Sequence, residues 1–178
     1  MSRRVLVAGL GNVLRGDDAI GPYAIKQLQA RYEFPPDVEL ADLGTPGLEL
    51  ALHLSSADYV LIIDALRGVA PGALVVYDDH AITSAAQAKT GVRLDAHSAA
   101  LGEALVIARL RSEHPRELRL VGLGGAGFDF GTGMTPSIRA QVPALVAAAI
   151  EQLVQWGLPP PTLRPDAPAT WSDDDSLV

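Results

Sequence analysis

The sequence predicts an α/β fold in which a mostly parallel, doubly wound sheet is joined by helices. Short apolar runs rich in Val, Leu and Ile alternate with segments of helical spacing, which is typical of parallel strands with helical crossovers. The runs are mostly continuous rather than alternating, as expected for strands covered on both faces. Five of them are predicted as strands: 5–10, 38–43, 59–65, 73–77 and 118–123.

Four segments between or after these runs have the apolar spacing of helices. Only a few residues separate the third and fourth strands, too few for a helical crossover, so the sequence predicts one antiparallel strand at an edge of the sheet. The last helix is preceded by Thr135 as N-cap residue, with proline in its first turn, and it ends at Gly157. The helices are predicted around Ile20, Ala24, Ile25 and Leu28, around Leu48, Leu50, Ala51 and Leu54, and over 99–110 and 137–156.

Composition and charge limit the classes of function. Of the 178 residues, 48% are hydrophobic and 20% charged, which is typical of one globular domain, predicted over 1–157. The proline-rich, then acidic segment 158–178 is predicted to be a flexible or loosely docked tail. A net charge of -7 argues against nucleic acid or an anionic membrane as a partner, and the absence of Cys excludes thiolate chemistry.

The same sequence indicates a cytoplasmic protein. No apolar run approaches the roughly 20 residues that span a bilayer. The first apolar run follows two arginines but is short and continues into GNVLRGDD without a cleavage site, so it is interpreted as a strand rather than a signal peptide. The cytoplasm is therefore the expected location.

The first candidate site lies in GLGNVLRGDDAIGP, between the first predicted strand and the first predicted helix. A dinucleotide-binding loop would occupy this place, but Leu14 stands where its third glycine is needed, so phosphate binding is disfavoured. Asp17 and Asp18 lie near the helix N-terminus, where a carboxylate caps the helix and complements its dipole. Two interpretations of this pair are therefore open: either residue caps the helix, or one of the two is a ligand.

Asp64 and His97 are the second and third candidates. Asp64 ends an apolar strand, and the carboxyl ends of strands are where α/β folds build their sites. A buried charge there is costly unless it is paired, hydrogen-bonded or metal-bound, although a strand-end Asp also caps turns. His97 is predicted at a strand-to-helix junction, from which it would turn toward the carboxylates. The other histidines fall in a predicted helix or in polar surroundings: His53, His80 and His114.

Together, Asp18, Asp64 and His97 would form an open divalent-metal site. An imidazole suits nickel or zinc, and two oxygen donors leave positions free for a ligand from the substrate. The spacing fits no local zinc motif such as HExxH, so the grouping is a hypothesis about the folded chain. Asp17 and Asn12 are auxiliary candidates beside it.

Two glycine-containing loops complete the candidates. In the segment 42–47, glycines allow close backbone approach, which suits an extended peptide, so Asp42, Gly44 and Thr45 are candidate substrate-binding residues. Asp42 as a turn-former is the alternative. The segment 122–127 matches GxGxxG, but no predicted helix begins at its end, so it is interpreted as a flexible loop beside a cleft. A serine nucleophile is disfavoured because no GxSxG elbow is present.

The motifs GLGNVLRGDDAIGP, DLGTPG, LIIDA and DAHSAAL, then LRLVGLGG followed by GMTPSIR, occur in that order along the chain. The combination resembles the [NiFe]-hydrogenase maturation endopeptidases from about Val5 to the end of the last helix. The resemblance implies a three-layer sandwich in which helices cover both faces of a twisted five-stranded sheet. It also implies that Asp18, Asp64 and His97 occupy the family's metal-ligand positions. Many members have Glu at the position of Asp18, and the segment 128–130 departs from the family's usual sequence.

The resemblance implies one endoproteolytic cut near the C-terminus of a [NiFe]-hydrogenase large-subunit precursor. Nickel carried by the precursor would be the recognition signal, so the protease would need neither its own metal nor a nucleotide. A metal-activated water or a carboxylate acting as general base would serve the hydrolysis. The alternatives are a nickel-sensing chaperone that binds the precursor without cutting it, and a nucleotide-binding protein that uses Gly9 and Gly11.

Overall fold

A computed structural model describes residues 3–87, 97–131 and 133–168, with residues 85–87 and 97–99 given by their backbone. The strands are β1 Val5–Leu10, β2 Tyr32–Glu33, β3 Val38–Gly44, β4 Tyr59–Leu66, β5 Leu74–Asp78, β6 Glu117–Gly124 and β7 Thr162–Leu163. The α-helices are α1 Ile20–Arg31, α2 Leu50–Ser55, α3 Asp79–Gln87, α4 His97–Leu110, α5 Pro136–Arg139 and α6 Val142–Gln155, and a 3-10 helix spans Gly16–Ala19.

Five strands form one sheet in the order β3-β1-β4-β6-β5. The pairs β3–β1, β1–β4 and β4–β6 are parallel, whereas β5 runs antiparallel to β6 at one edge. The predicted mostly parallel α/β sheet with one antiparallel edge strand is therefore confirmed. The two-residue strands β2 and β7, which the sequence analysis did not predict, pair separately.

Helices cover both faces of the sheet, so the fold has three layers. Side chains alternate along β1: Val5 and Val7 pack with α1, α5 and α6, whereas Leu6 and Ala8 pack with α2, α3 and α4. This alternation gives each face of the sheet its own apolar core. β5 is an edge strand among the described strands of the sheet, and it is only partly covered, with Val76 exposed.

Several predicted elements differ from the structure. The predicted last helix is two helices, α5 and α6, because Pro143 has no N–H to continue the ladder and its ring would clash with the carbonyl of Arg139. The helix α3 was not predicted, and α4 begins at His97 rather than at residue 99. Leu48 does not belong to the buried stripe of α2, since it is 64% exposed.

The first part of the segment after α6, which the sequence predicts to be flexible or loosely docked, packs against the domain in the structure. Leu158 is buried, β7 pairs with β2, and the guanidinium of Arg31 donates to the carbonyl of Pro168 at 2.9 Å. Composition does not reveal these long-range contacts. Residues 169–178 lie outside the described residues, and the division into a domain and a tail stays a prediction. No helix in the described ranges is long and apolar enough to cross a bilayer.

Helix α1 lies unusually close to the strands beneath it, and Gly21 makes this possible. A Cβ atom at Gly21 would overlap the carbonyl oxygen of Leu10 and lie 2.5 Å from that of Ile63. Both neighbours are backbone atoms, which cannot move without shifting a strand. The first turn of α1 is thereby fixed against the ends of β1 and β4.

We therefore expect Gly21→Ala to destabilise the protein by about 3 kcal/mol, because overpacking against backbone costs more than helix propensity returns. Gly133→Ala is the matched control, since nothing lies within 4 Å of its Cβ position, and it should change stability by less than about 0.5 kcal/mol. Urea unfolding measures both. Equal stabilities for the two variants would show that α1 is not held in this way.

Candidate active site

The carboxyl ends of the four parallel strands meet at one edge of the sheet, and most predicted site residues follow them. In the register, Asp42 of β3 pairs with Gly9 of β1, Gly9 with Ile63 of β4, and Asp64 of β4 with Gly122 of β6. Ligand sites of open α/β sheets lie at this edge because loops and helix N-termini converge there. We call it the carboxyl edge.

Asp64 is buried at this edge, with only 2% of its surface exposed. Its Oδ1 accepts a hydrogen bond from the N–H of Ala65 at 2.8 Å. Ile63 and Ala65 belong to the core under α1, so alternation along β4 directs Asp64 toward the opposite face, where α2 and α4 pack. A carboxylate thus sits at the end of a central strand on the α4 face.

Asp18 lies in the 3-10 helix that precedes α1 and is 4% exposed. The N–H of Asn12 donates to its Oδ2 at 3.0 Å. A Cβ at Gly11 would overlap the carbonyl oxygen of Asp18, so the loop after β1 folds directly against it. Because this 3-10 helix also packs on β4, Asp18 and Asp64 are brought to the same edge of the sheet.

Asp17 has a different surrounding from its neighbour. It is fully buried, and its Oδ2 accepts hydrogen bonds from the N–H groups of Ala126 and Gly127 at 2.7 and 2.9 Å. The N–H and the hydroxyl of Thr135 also donate to its carboxylate, at 2.6 and 3.0 Å. The N-cap residue of α1 is Ala19, so Asp17 does not cap that helix. It holds the segment that follows β6 instead.

The contact between Thr135 and Asp17 was not predicted from the sequence. Thr135 occupies the N-cap position of α5, as the sequence indicates, yet its side chain makes no capping hydrogen bond. The hydroxyl donates to Asp17 instead. A contact between residues 118 positions apart leaves no local signal, so the sequence indicated Asp17 only as a helix cap or as a ligand or auxiliary residue beside Asp18.

The candidate substrate-binding loop lies at the end of the edge strand β3. Asp42 forms the turn, since its Oδ1 accepts the N–H of Gly44 at 3.0 Å. Gly44 has a φ of 56°, which favours glycine, and its carbonyl accepts the N–H of Gly11 at 2.8 Å. The side chains of Asp42 and Thr45 are exposed. The pKa of Glu49 is lowered because the backbone of Gly47 donates to its carboxylate.

The backbone of His97 begins α4, and its side chain lies outside the described residues. α4 packs on the sheet through Leu101 and Leu105 and is followed, after a short turn, by the start of β6 at the opposite edge. The N-terminus of α4 therefore lies toward the carboxyl edge, on the face that Asp64 occupies. Among the described side chains, no three metal-ligating residues form a group.

Neither glycine-rich segment is shaped to hold a phosphate. Gly9 and Gly11 are needed for contacts with α1 and with Asp18, and the N–H of Gly11 is bonded within the protein. In the second segment a Cβ at Gly124 would overlap the carbonyl of Ala70, and two of the amides are bound by Asp17. These glycines serve close packing inside the protein.

A three-layer α/β sheet with buried carboxylates at its carboxyl edge defines a class of small α/β enzymes, and comparison with known proteins specifies which one. The family model for hydrogenase maturation protease matches residues 22–152. The chain is 34% identical over 154 residues to the hydrogenase 2 maturation protease of Escherichia coli K12, covering 84% of this chain and 92% of that protein. It is 35% identical over 159 residues to the hydrogenase expression/formation protein HupM of Azotobacter chroococcum, covering 88% and 75%.

Solved structures agree with these relatives. The hydrogenase maturating endopeptidase HybD from E. coli superposes with a TM-score of 0.83 at 30% identity, covering 92% of this chain and 99% of that one. The [NiFe] hydrogenase maturation protease HybD from Thermococcus kodakarensis superposes with a TM-score of 0.67 at 27% identity, covering 84% and 98%. The chain belongs to the hydrogenase maturation protease family and is a peptidase, as its sequence motifs predict.

The burial of Asp17 leads to a prediction about stability. Asp17→Asn should destabilise the protein by about 3 kcal/mol, because an amide NH2 group would face N–H donors and leave them unsatisfied. Thr135→Val removes only the hydroxyl donor and should cost about 1 kcal/mol. Urea unfolding compares the two variants, and an Asp17→Asn protein as stable as the wild type would contradict the role assigned to this carboxylate.

Proposed function

We propose that the chain is the endopeptidase that removes the C-terminal extension of a [NiFe]-hydrogenase large-subunit precursor after nickel insertion. Asp18, Asp64 and His97 would contact the nickel that the precursor carries. The protein would act in the cytoplasm, with neither nucleic acid nor a membrane as partner. Membership of the family makes the chain a peptidase of hydrogenase maturation, and we add to this the position of the cut, the metal and the residues that contact it.

The observation that carries the proposal is the burial of two carboxylates at one edge of the sheet. Asp18, in the 3-10 helix, and Asp64, near the end of β4, are 4% and 2% exposed. Burying a carboxylate is costly unless the site stabilises the charge. A divalent cation arriving with the substrate would supply such stabilisation at the moment of binding.

The donor chemistry fits nickel. Two carboxylate oxygens and an imidazole are suitable ligands for a borderline divalent ion, and they leave coordination positions for groups of the precursor. The N-terminus of α4, which carries His97, lies on the sheet face toward which Asp64 points. A nickel ion held by the precursor would therefore contact three side chains of the protease at the same time.

Two roles are open to the carboxylates during hydrolysis. The precursor's nickel would polarise the scissile carbonyl or lower the pKa of an attacking water. Alternatively, Asp64 or Asp18 would accept the proton of that water as general base. In both cases the hydrogen bond from the N–H of Asn12 holds Asp18 in place, which gives the auxiliary residue Asn12 a positioning task.

The edge strand β3 supports binding of an extended peptide. The side chains of Asp42 and Thr45 are exposed at its end, and Gly44 lets a second backbone approach closely. An unpaired sheet edge binds an extended segment through main-chain hydrogen bonds. The C-terminal extension of the precursor would lie along this loop with its cleavage site beside Asp64.

The proposal is tested by incubating nickel-loaded precursor with purified protein and following its mass. Asp18→Asn, Asp64→Asn and His97→Gln should each slow cleavage at least about hundredfold, because each removes a group that acts on the reacting centre. Folding of each variant is checked by its unfolding midpoint.

Two matched controls lie away from the site. Asp166→Asn makes the same change at an exposed acid, and His80→Gln changes a histidine after β5, at the opposite edge of the sheet. Both should cleave at the wild-type rate. Full cleavage by Asp64→Asn and His97→Gln would refute the proposed site. Binding of the precursor without any cleavage by the wild type would favour the nickel-sensing chaperone instead.

A further inference from the structure

The loop that follows β6 exposes an aromatic side chain although its backbone is fixed. Phe130 is 71% exposed, whereas Phe128, two residues earlier, packs against the core with the guanidinium of Arg67 3.8 Å above its ring. We call residues 125–131 the rim loop. Its inner aromatic ring anchors the loop, and its outer ring faces solvent.

Hydrogen bonds hold both ends of the rim loop. At its start, Ala126 and Gly127 donate to the carboxylate of Asp17, and the carbonyl of Gly127 accepts the N–H of the same residue at 2.8 Å. At its end, the N–H of Gly131 donates to the carbonyl of Leu14 at 2.9 Å. A loop pinned in this way presents Phe130 in a defined position, which lowers the entropic cost of binding through it.

The rim loop lies beside the candidate active site. It continues β6 just beyond Gly122, the register partner of Asp64, and the N–H of Gly125 donates to the carbonyl of Leu66 at the end of β4. Asp17, which accepts hydrogen bonds from the start of the rim loop, is the sequence neighbour of Asp18. Phe130 is thus carried by a loop that is bonded to both segments holding the buried carboxylates.

A second exposed apolar residue lies in a loop that is hydrogen-bonded to the rim loop. Leu14 is 56% exposed and lies in the loop between β1 and the 3-10 helix, where the hydrogen bond from Gly131 joins it to the rim loop. Single exposed apolar side chains are ordinary on protein surfaces, but two of them on hydrogen-bonded loops beside the carboxyl edge indicate a binding surface.

We propose that Phe130, together with Leu14, is a specificity-determining residue that binds an apolar side chain of the precursor next to its cleavage site, and that Asp17 is the positioning residue of the rim loop. This inference rests on the proposed function. The described hydrogen bonds to the carboxylate of Asp17 come from Ala126 and Gly127 of the rim loop and from Thr135 at the start of α5, so we assign Asp17 no role in metal binding.

The test compares steady-state cleavage of nickel-loaded precursor by Phe130→Ala and by the wild type. Phe130→Ala should raise KM about tenfold and leave kcat nearly unchanged, because it removes a contact made equally before and during the reaction. Phe130→Leu, which keeps an apolar side chain, should restore most of the affinity. Leu14→Ala should shift KM in the same direction.

Leu110→Ala is the matched control, because Leu110 is 81% exposed at the end of α4, toward the opposite edge of the sheet. It should leave KM unchanged. An unchanged KM in Phe130→Ala, or an equal rise in Leu110→Ala, would overturn the inference. The proposed function would survive either result as long as the wild type cuts the precursor, so the two failures are distinguishable.

The role of Asp17 is tested by a double-mutant cycle. If Asp17 acts through the rim loop, Asp17→Asn raises KM by itself but adds little to the effect of Phe130→Ala, since the contact is already lost. Independent, multiplicative effects on KM would refute the positioning role. If Asp17→Asn does not fold at the assay temperature, Thr135→Val takes its place in the cycle, because it removes one of the four hydrogen bonds to Asp17.

Discussion

The close contact of α1 with the ends of β1 and β4 is the constraint from which the rest of this site follows. Gly21 allows the helix backbone to touch the carbonyl oxygens of Leu10 and Ile63. The nine residues between β1 and α1 include the 3-10 helix that packs on β4, and this places Asp18 at the same edge of the sheet as Asp64. The placement of these two carboxylates at the carboxyl edge is therefore a consequence of helix–strand packing over a close-packed core.

A second interaction, the buried carboxylate of Asp17, extends this rigid centre to its surroundings. The residue directly before Asp18 binds the loop after β6 and the start of α5, so the first and last thirds of the chain meet at one side chain. The two adjacent aspartates, Asp17 and Asp18, therefore have different hydrogen-bond partners. Asp17 fixes the loop after β6 and the start of α5, whereas Asp18 accepts a hydrogen bond from the N–H of Asn12 in the loop after β1.

Much of this could be predicted from the sequence, because strand and helix periodicity are local. The five sheet strands and the antiparallel edge were predicted within two residues, and the motifs gave the family. Long-range contacts could not be predicted. The docking of Leu158, the pairing of β2 with β7 and the contact of Asp17 with Thr135 join residues distant in sequence. The division of the last helix into α5 and α6 could have been predicted, because Pro143 is visible in the sequence.

We propose that the protease recognises its substrate through metal that the substrate carries. The most direct measurement is the cleavage of one purified precursor with and without nickel, followed by mass spectrometry at equal protease concentration. We expect loss of the C-terminal extension only from nickel-loaded precursor, with no metal added to the protease. Equal cleavage of the nickel-free precursor would contradict it and would leave Asp18 and Asp64 as groups that act without the metal.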